Sequence, residues 1–245
     1  MKIAVVTGAS SGLGREFVKQ ICKKYKTIEE IWLIARREDR MDELALSIPS
    51  MRFKILPLDL TNDEDLLKYK SALLDEKPNV RLLINASGYG KTGHFTDTDI
   101  SDSVGMIDLN CSSLVKMTYM TLPSMSWPGT IIQLASSAAF IPQPSFAIYA
   151  ASKSFVLSFS RALNVELQDR GIKVTSVCPG PVDTEFFGIA EEKEDIKIYK
   201  KIVMAEADKV VEKALIDANL GKDMSVYGVA IKGLEVASKA LPHGP

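Results

Sequence analysis

Six short apolar runs rich in β-branched residues recur along the first three quarters of the chain. They are IAVV (3–6), IWLIA (31–35), FKILPL (53–58), RLLINA (81–86), TIIQLAS (130–136) and KVTSVC (173–178). None shows the apolar/polar alternation of a strand with one wet face. Strands that are apolar on both faces need cover on both, which is the environment of a parallel sheet between helical layers. The intervening segments carry a helical period. Residues 12–25 place Leu13, Phe17, Ile21 and Cys22 on one side, and residues 62–75 open with Asn62 as an N-cap. Residues 101–126 and 147–169 read as longer helices. A helix near 206–219, a short strand candidate SVYGV (225–229) and a last helix to about residue 240 follow. This alternation predicts an α/β fold: a doubly wound (Rossmann) parallel sheet of about seven strands with helices on both faces.

Composition narrows the function classes. The formal net charge is −1, so no global field draws nucleic acid or an anionic membrane. Neither partner is expected. Three Cys (Cys22, Cys111, Cys178) and two His (His94, His243) lie far apart with no metal-ligand spacing, so no metal site is expected and the thiols read as buried and reduced. No uninterrupted apolar stretch approaches the roughly 18 residues of a membrane span, and the first apolar run already reads as a strand rather than a signal peptide. A cytoplasmic protein is the expectation.

The stretch TGASSGLG (7–14) has two chemical readings. Gly8-Ala9-Ser10-Ser11-Gly12 fits G-x-S-x-G, the nucleophile elbow of serine hydrolases. That reading fails on position, because an elbow needs an oxyanion donor from a loop after an earlier strand and only seven residues precede Gly8. A turn between a first strand and a first helix instead suits a nucleotide pyrophosphate, which the helix N-terminal amides and dipole attract. Gly8, Ser10, Ser11, Gly12, Leu13 and Gly14 are the candidate residues.

TGASSGLG resembles the T-G-x-x-x-G-x-G of the short-chain dehydrogenase/reductase family, in the branch whose chains have this length. Further segments match in order. Asp59-Leu60 resembles the family's adenine contact after the third strand. NASG (Asn85, Ala86, Ser87, Gly88) resembles its N-N-A-G, with Ala86 where the second Asn stands. Asn110 resembles its structural and catalytic Asn, and Ser136, Tyr149 and Lys153 its Ser-Tyr-Lys group. PGPVDT (179–184) resembles P-G-x-x-x-T and brings in Pro179, Gly180, Val182 and Thr184. Y-x-x-x-K by itself carries little, since 7 Tyr and 30 basic residues in 245 positions make one match expected by chance. The ordered set, spread over residues 2–184, is what carries the resemblance.

The resemblance implies an enzyme that interconverts a carbonyl and an alcohol by hydride transfer, with NADP(H) or NAD(H) as cofactor. Tyr149 is then the proton donor or acceptor. A phenol ordinarily titrates at about 10, and a nearby ammonium, here Lys153, favours its anion. Ser136 would hold the substrate oxygen, and Asn110 would anchor a water that links Lys153 to solvent. Cofactor choice turns on the end of the second strand, where Arg36 and Arg37 stand in place of the acid that accepts ribose hydroxyls in NAD-preferring relatives. Guanidinium groups match a 2′-phosphate in charge and shape, and Arg15 adds a cation. NADP(H) is therefore the preferred cofactor, with NAD(H) also admitted. Thr184 is expected at the nicotinamide carboxamide, and Tyr89 and Gly90 beside the cleft.

One nucleotide-binding domain is expected over residues 1–245, with residues 185–219 as a substrate lid. Phe186, Phe187, Ile189, Tyr199 and Phe140, Ile141 and Pro142 are candidates for an apolar wall suited to a steroid, a keto-acyl group or a small ketone. The acidic run EEKED (191–195) reads as a solvated face. By the same resemblance, a homodimer or homotetramer forms through the two long helices. The alternative function is a non-catalytic NADP(H) sensor or interaction protein on the same fold.

Overall fold

The computed structural model describes residues 1–185 and 204–240. Its sheet has seven strands: β1 (Lys2–Thr7), β2 (Glu30–Ala35), β3 (Arg52–Pro57), β4 (Asn79–Asn85), β5 (Met125–Leu134), β6 (Ile172–Val177) and β7 (Met224–Ser225). They lie in the order β3-β2-β1-β4-β5-β6-β7, and every pair is parallel. The chain winds outward from β1 to β3, then returns to place β4 on the other side of β1. The C-terminal ends of β1 and β4 therefore flank the crevice where open α/β sheets bind ligands.

The continuous apolar runs divide cleanly between two cores. Ala4 and Val6 of β1 and Leu33 of β2 face α1 (Gly12–Lys24) and α2 (Glu38–Leu46) through Phe17, Ile21, Met41 and Leu44. Ile3 and Val5 of β1 and Trp32 and Ile34 of β2 face α3 (Asp63–Glu76) through Leu66, Tyr69 and Leu73. Successive side chains of a strand point to opposite faces, so only a strand apolar at every position satisfies both layers. Asn62 caps α3 as expected, its side chain accepting from the amides of Glu64 and Asp65.

The expected helix over 101–126 is interrupted. It runs as α4 (Ile100–Ile107), a π-helical stretch (Asp108–Ser113) and α5 (Leu114–Thr121), and β5 has already begun at Met125. α6 (Ala147–Glu166) is the other long helix. The expected lid boundary also moves. Residues 207–219 form α7 (Ala207–Asn219), and Val210, Val211, Ala214, Leu215 and Ala218 are buried in the same core as Phe17 and Ile21. That helix belongs to the main layer rather than to a lid, because its apolar stripe is spent on the core beside α1. α8 (Val229–Ala240) ends the described chain. Phe186, Phe187, Ile189, Tyr199 and the EEKED run lie outside the described residues. No described helix is long and apolar enough to cross a membrane.

Candidate active site

The glycine turn sits at the mouth of the β1/β4 crevice. Gly8 (φ +67°) and Gly12 (φ +52°) adopt backbone conformations that side chains disfavour. A Cβ on Gly8 would lie 2.8 Å from the Ala86 carbonyl oxygen, and one on Gly14 2.2 Å from that of Gly8. Thr7 ties the two strand ends together, its Oγ1 accepting from the amides of Ala86 (3.0 Å) and Ser87 (3.1 Å). Ser11 is the N-cap of α1 without a side-chain capping bond, and the first turn holds no acid. The amides that open α1 are thus left for an anionic group, and Gly8, Gly12 and Gly14 leave the backbone bare where such a group approaches. The chain's own residues fit a dinucleotide pyrophosphate there.

The polar residues expected to carry the chemistry converge at the same end of the sheet. Ser136 follows β5, and Tyr149 and Lys153 share one face near the start of α6. Tyr149 and Lys153 are buried. Tyr149 shares a hydrogen bond with Ser136, and Ser136 Oγ also accepts from the Ala138 amide at 3.1 Å. Lys153 Nζ donates to the Leu134 carbonyl at 2.8 Å and lies 5.6 Å from the centre of the Tyr149 ring. Phe146 stacks on Tyr149, with ring centres 4.3 Å apart.

Asn110 is fully buried in the π-helical stretch. Its Nδ2 donates to the Tyr89 carbonyl (2.9 Å) and to Ser152 Oγ (3.1 Å), and its Oδ1 accepts from the Tyr89 amide (3.0 Å). It therefore fastens the loop after β4 to the helix that carries Tyr149 and Lys153. Gly88 is held between them: a Cβ there would lie 2.7 Å from Asn110 Oδ1 and 3.3 Å from Lys153 Nζ. Gly90 is pressed by Tyr149 in the same way, at 2.7 Å.

Burial governs the titration of the pair. It pushes the Tyr149 phenol up to about 12, against a smaller downward pull from Ser136, and pushes Lys153 down to about 8. Desolvation opposes both charged forms and is the largest cause of each shift.

Other expected site residues are placed less uniformly. Asn85 turns inward, its Nδ2 donating to Thr118 Oγ1 (3.0 Å) and Gln133 Oε1 (2.9 Å). It braces β4 against β5. Asp59 Oδ1 accepts from the Thr61 amide and hydroxyl, and the Leu60 carbonyl accepts from Ser113. The Pro179 carbonyl accepts from the Ser137 amide at 2.8 Å, and Gly180 packs against Ile231 of α8. Val182 is buried and bridges to Ala205. Thr184 lies 3.5 Å from the Cβ position of Gly12. Arg15 pairs with Glu43 at 2.9 Å, and Arg36 is 74% exposed with Asp59 at 3.9 Å. Arg37 Nε and Nη2 both donate to Ser10 Oγ (3.3 and 3.2 Å), which rests that hydroxyl on a guanidinium. Sequence reasoning missed Thr7, Ser152, Arg40 and Glu185. Thr7 opens the T-G-x-x-x-G-x-G match but receives no role there, Ser152 carries no local signal, and Arg40 and Glu185 meet across 145 positions.

The family model for short chain dehydrogenases matches residues 2–195. The chain belongs to the short-chain dehydrogenase/reductase family. An oxidoreductase of Staphylococcus epidermidis is 35% identical over 190 residues, covering 75% of this chain and 79% of its own. Sulfoacetaldehyde reductase 2 of Chromohalobacter salexigens is 30% identical over 236 residues, covering 91% of each chain. The solved short-chain dehydrogenase of Sphingobium yanoikuyae in complex with NADPH superposes with a TM-score of 0.84. It is 27% identical and covers 98% of this chain and 94% of its own. This short-chain dehydrogenase/reductase therefore has the family's parallel sheet, and its glycine turn and Tyr-Lys helix lie at one end of that sheet.

Proposed function

We propose that this enzyme reduces a carbonyl, or oxidises the matching alcohol, with NADP(H) as preferred cofactor and NAD(H) as a second one. The observation that carries the reading is the convergence of Ser136, Tyr149, Lys153 and Asn110 beside the glycine turn at the β1/β4 crevice. The bound NADPH structure of a 27% identical relative supports the cofactor, as does the basic end of β2.

When bound, the nicotinamide supplies or takes the hydride. The protein's part is the proton. A phenol raised to about 12 keeps its proton at neutral pH. Tyr149 is therefore ready to donate toward a carbonyl oxygen placed between its hydroxyl and that of Ser136. The reverse reaction needs the phenolate, so oxidation gains as pH rises. Lys153, at about 8, is mostly an ammonium at neutral pH and bonds the nicotinamide ribose in this reading. Thr184 holds the carboxamide, and Asn110 fixes the loop and helix that position the other three. The substrate is a ketone, a keto-acyl group or a steroid-like molecule. Phe146, stacked on Tyr149, forms part of its apolar wall.

Association through α4–α5 and α6 belongs to the same reading, supported by Ile100, Val104, Ile107, Tyr119 and Phe155, which those helices leave exposed. The non-catalytic sensor has no observation in its favour. The test is Tyr149→Phe. Turnover on a carbonyl panel, followed by NADPH absorbance, should fall about 100- to 10,000-fold as expected for loss of a general acid, while NADPH binding persists. Unchanged turnover would overturn the assignment of Tyr149.

A further inference from the structure

The basic residues at the end of β2 are not equivalent. Arg36 extends into solvent, 74% exposed. Arg37 rests on Ser10 and gives its Nη1 to Glu185 Oε2 at 3.0 Å. Arg40, in the first turn of α2, holds the other carboxylate oxygen of Glu185. One carboxylate thus lies in a fork of two guanidiniums, one oxygen to each, beside the hydroxyl of the glycine turn. Glu185 reaches this place because it follows Thr184, which lies over Gly12. The loop leaving β6 passes over the turn and brings an acid to the far side. The two arginines hold its carboxyl below the usual range, so it is ionised at neutral pH.

A guanidinium fork accepts carboxylate and phosphate oxygens by the same geometry. We infer that Glu185 is an internal competitor for the anion site formed by Arg37, Arg40 and Ser10, and that Arg40 is the second guanidinium for the 2′-phosphate of NADP(H). The inference rests on the NADP(H) reading of the site. A 2′-phosphate must displace the Glu185 carboxylate from both arginines. A cofactor with a free 2′-hydroxyl has no group that competes for them. Glu185 therefore lowers affinity for NADP(H) selectively and narrows the enzyme's preference over NAD(H).

The experiment is calorimetric titration of the full chain with NADP⁺, NAD⁺, 2′-AMP and 5′-AMP at fixed ionic strength, in wild type, Glu185→Gln, Arg40→Gln and Arg36→Gln. Glu185 is half exposed, so its substitution is expected to leave the thermal midpoint in place. Removing a half-exposed competing pair should tighten NADP⁺ and 2′-AMP about 3- to 10-fold, with NAD⁺ and 5′-AMP unchanged. Arg40→Gln should weaken NADP⁺ by more than Arg36→Gln does. If Glu185→Gln leaves NADP⁺ affinity unchanged, or tightens NAD⁺ equally, the competitor is refuted. If Arg36→Gln costs more than Arg40→Gln, the assignment of Arg40 is refuted. The wild-type arm separates the two readings. Equal wild-type affinities refute the NADP(H) preference, yet a gain confined to the 2′-phosphate ligands in Glu185→Gln still upholds the competitor.

Discussion

Replacing Asn110 with Ala tests whether the active-site loop is held by side chain or by backbone. The amide makes three hydrogen bonds, at 2.9, 3.1 and 3.0 Å, to the Tyr89 carbonyl, Ser152 Oγ and the Tyr89 amide. Ser152 keeps a second bond, donating to the Tyr149 carbonyl at 2.7 Å. Tyr89 does not, and its two backbone groups lose the partner that satisfied both. Each net hydrogen bond contributes about 1 kcal/mol, and a buried group left unpaired costs about 1–3 kcal/mol. Tyr89 is only half buried, so water recovers part of that loss. The sum is about 2–4 kcal/mol, a large share of the roughly 5–15 kcal/mol that holds a domain folded. Urea unfolding followed by tryptophan fluorescence, to which the fully buried Trp32 contributes, should show the midpoint falling by on the order of 1 M at unchanged slope. Asn110→Asp supplies an internal check. It retains an acceptor for the Tyr89 amide but sets a second acceptor against the Tyr89 carbonyl. Only its protonated form can donate there, so its deficit should shrink as pH falls. A midpoint for Asn110→Ala within about 0.2 M of wild type would refute the reasoning and leave Asn110 without a positioning role.

Gly88→Ala drives a Cβ to 2.7 Å from Asn110 Oδ1 and 3.3 Å from Lys153 Nζ. It should cost about 1–3 kcal/mol by overpacking and lower kcat more than it raises KM, measured by thermal unfolding and steady-state kinetics. Lys153 titrates at about 8 in the free enzyme, so kcat/KM for NADPH should fall above that pH as the ammonium is lost. Lys153→Arg, which does not titrate there, should flatten that limb in a pH series. Asp217 is buried; desolvation alone would raise its pKa, but hydrogen bonds from Lys213, Lys222 and Ser225 outweigh burial and hold it low. Its contribution is present above the ordinary carboxylate range and is lost as pH falls through the lowered value. Asp217→Ala should therefore cost about 2–3 kcal/mol at neutral pH and less in acid, by denaturant titration. Burial raises the Cys178 thiol to about 12 and Cys22 to about 11. Native protein should therefore leave Cys178 unlabelled by a disulfide reagent at pH 8, as read by mass spectrometry.

What was legible in the sequence is what local physics fixes. Strand runs such as IAVV and IWLIA show themselves because both faces are covered and every position must be apolar. The turn at Gly8 and Gly14 shows itself because neighbouring carbonyls exclude a Cβ. α2 escaped because it buries only Met41 and Leu44, too few positions to mark a helical period. The break in the helix over 101–126 escaped because Asp108–Ser113 contains neither Gly nor Pro; the turn widens around Asn110, whose partners Tyr89 and Ser152 lie 21 and 42 residues away. α7 was readable as a helix, but its side chains could not say that α1 and the core would cover it. The same limit explains the basic end of β2. Arg36 and Arg37 are adjacent and indistinguishable in the sequence, yet one faces solvent and the other lies on Ser10. Arg40, three residues further along, joins Arg37 because one helical turn brings its guanidinium round to the same anion. A motif can name residue types that the chemistry needs, but which arginine receives the charge depends on where a distant segment, here the one carrying Glu185, crosses the sheet.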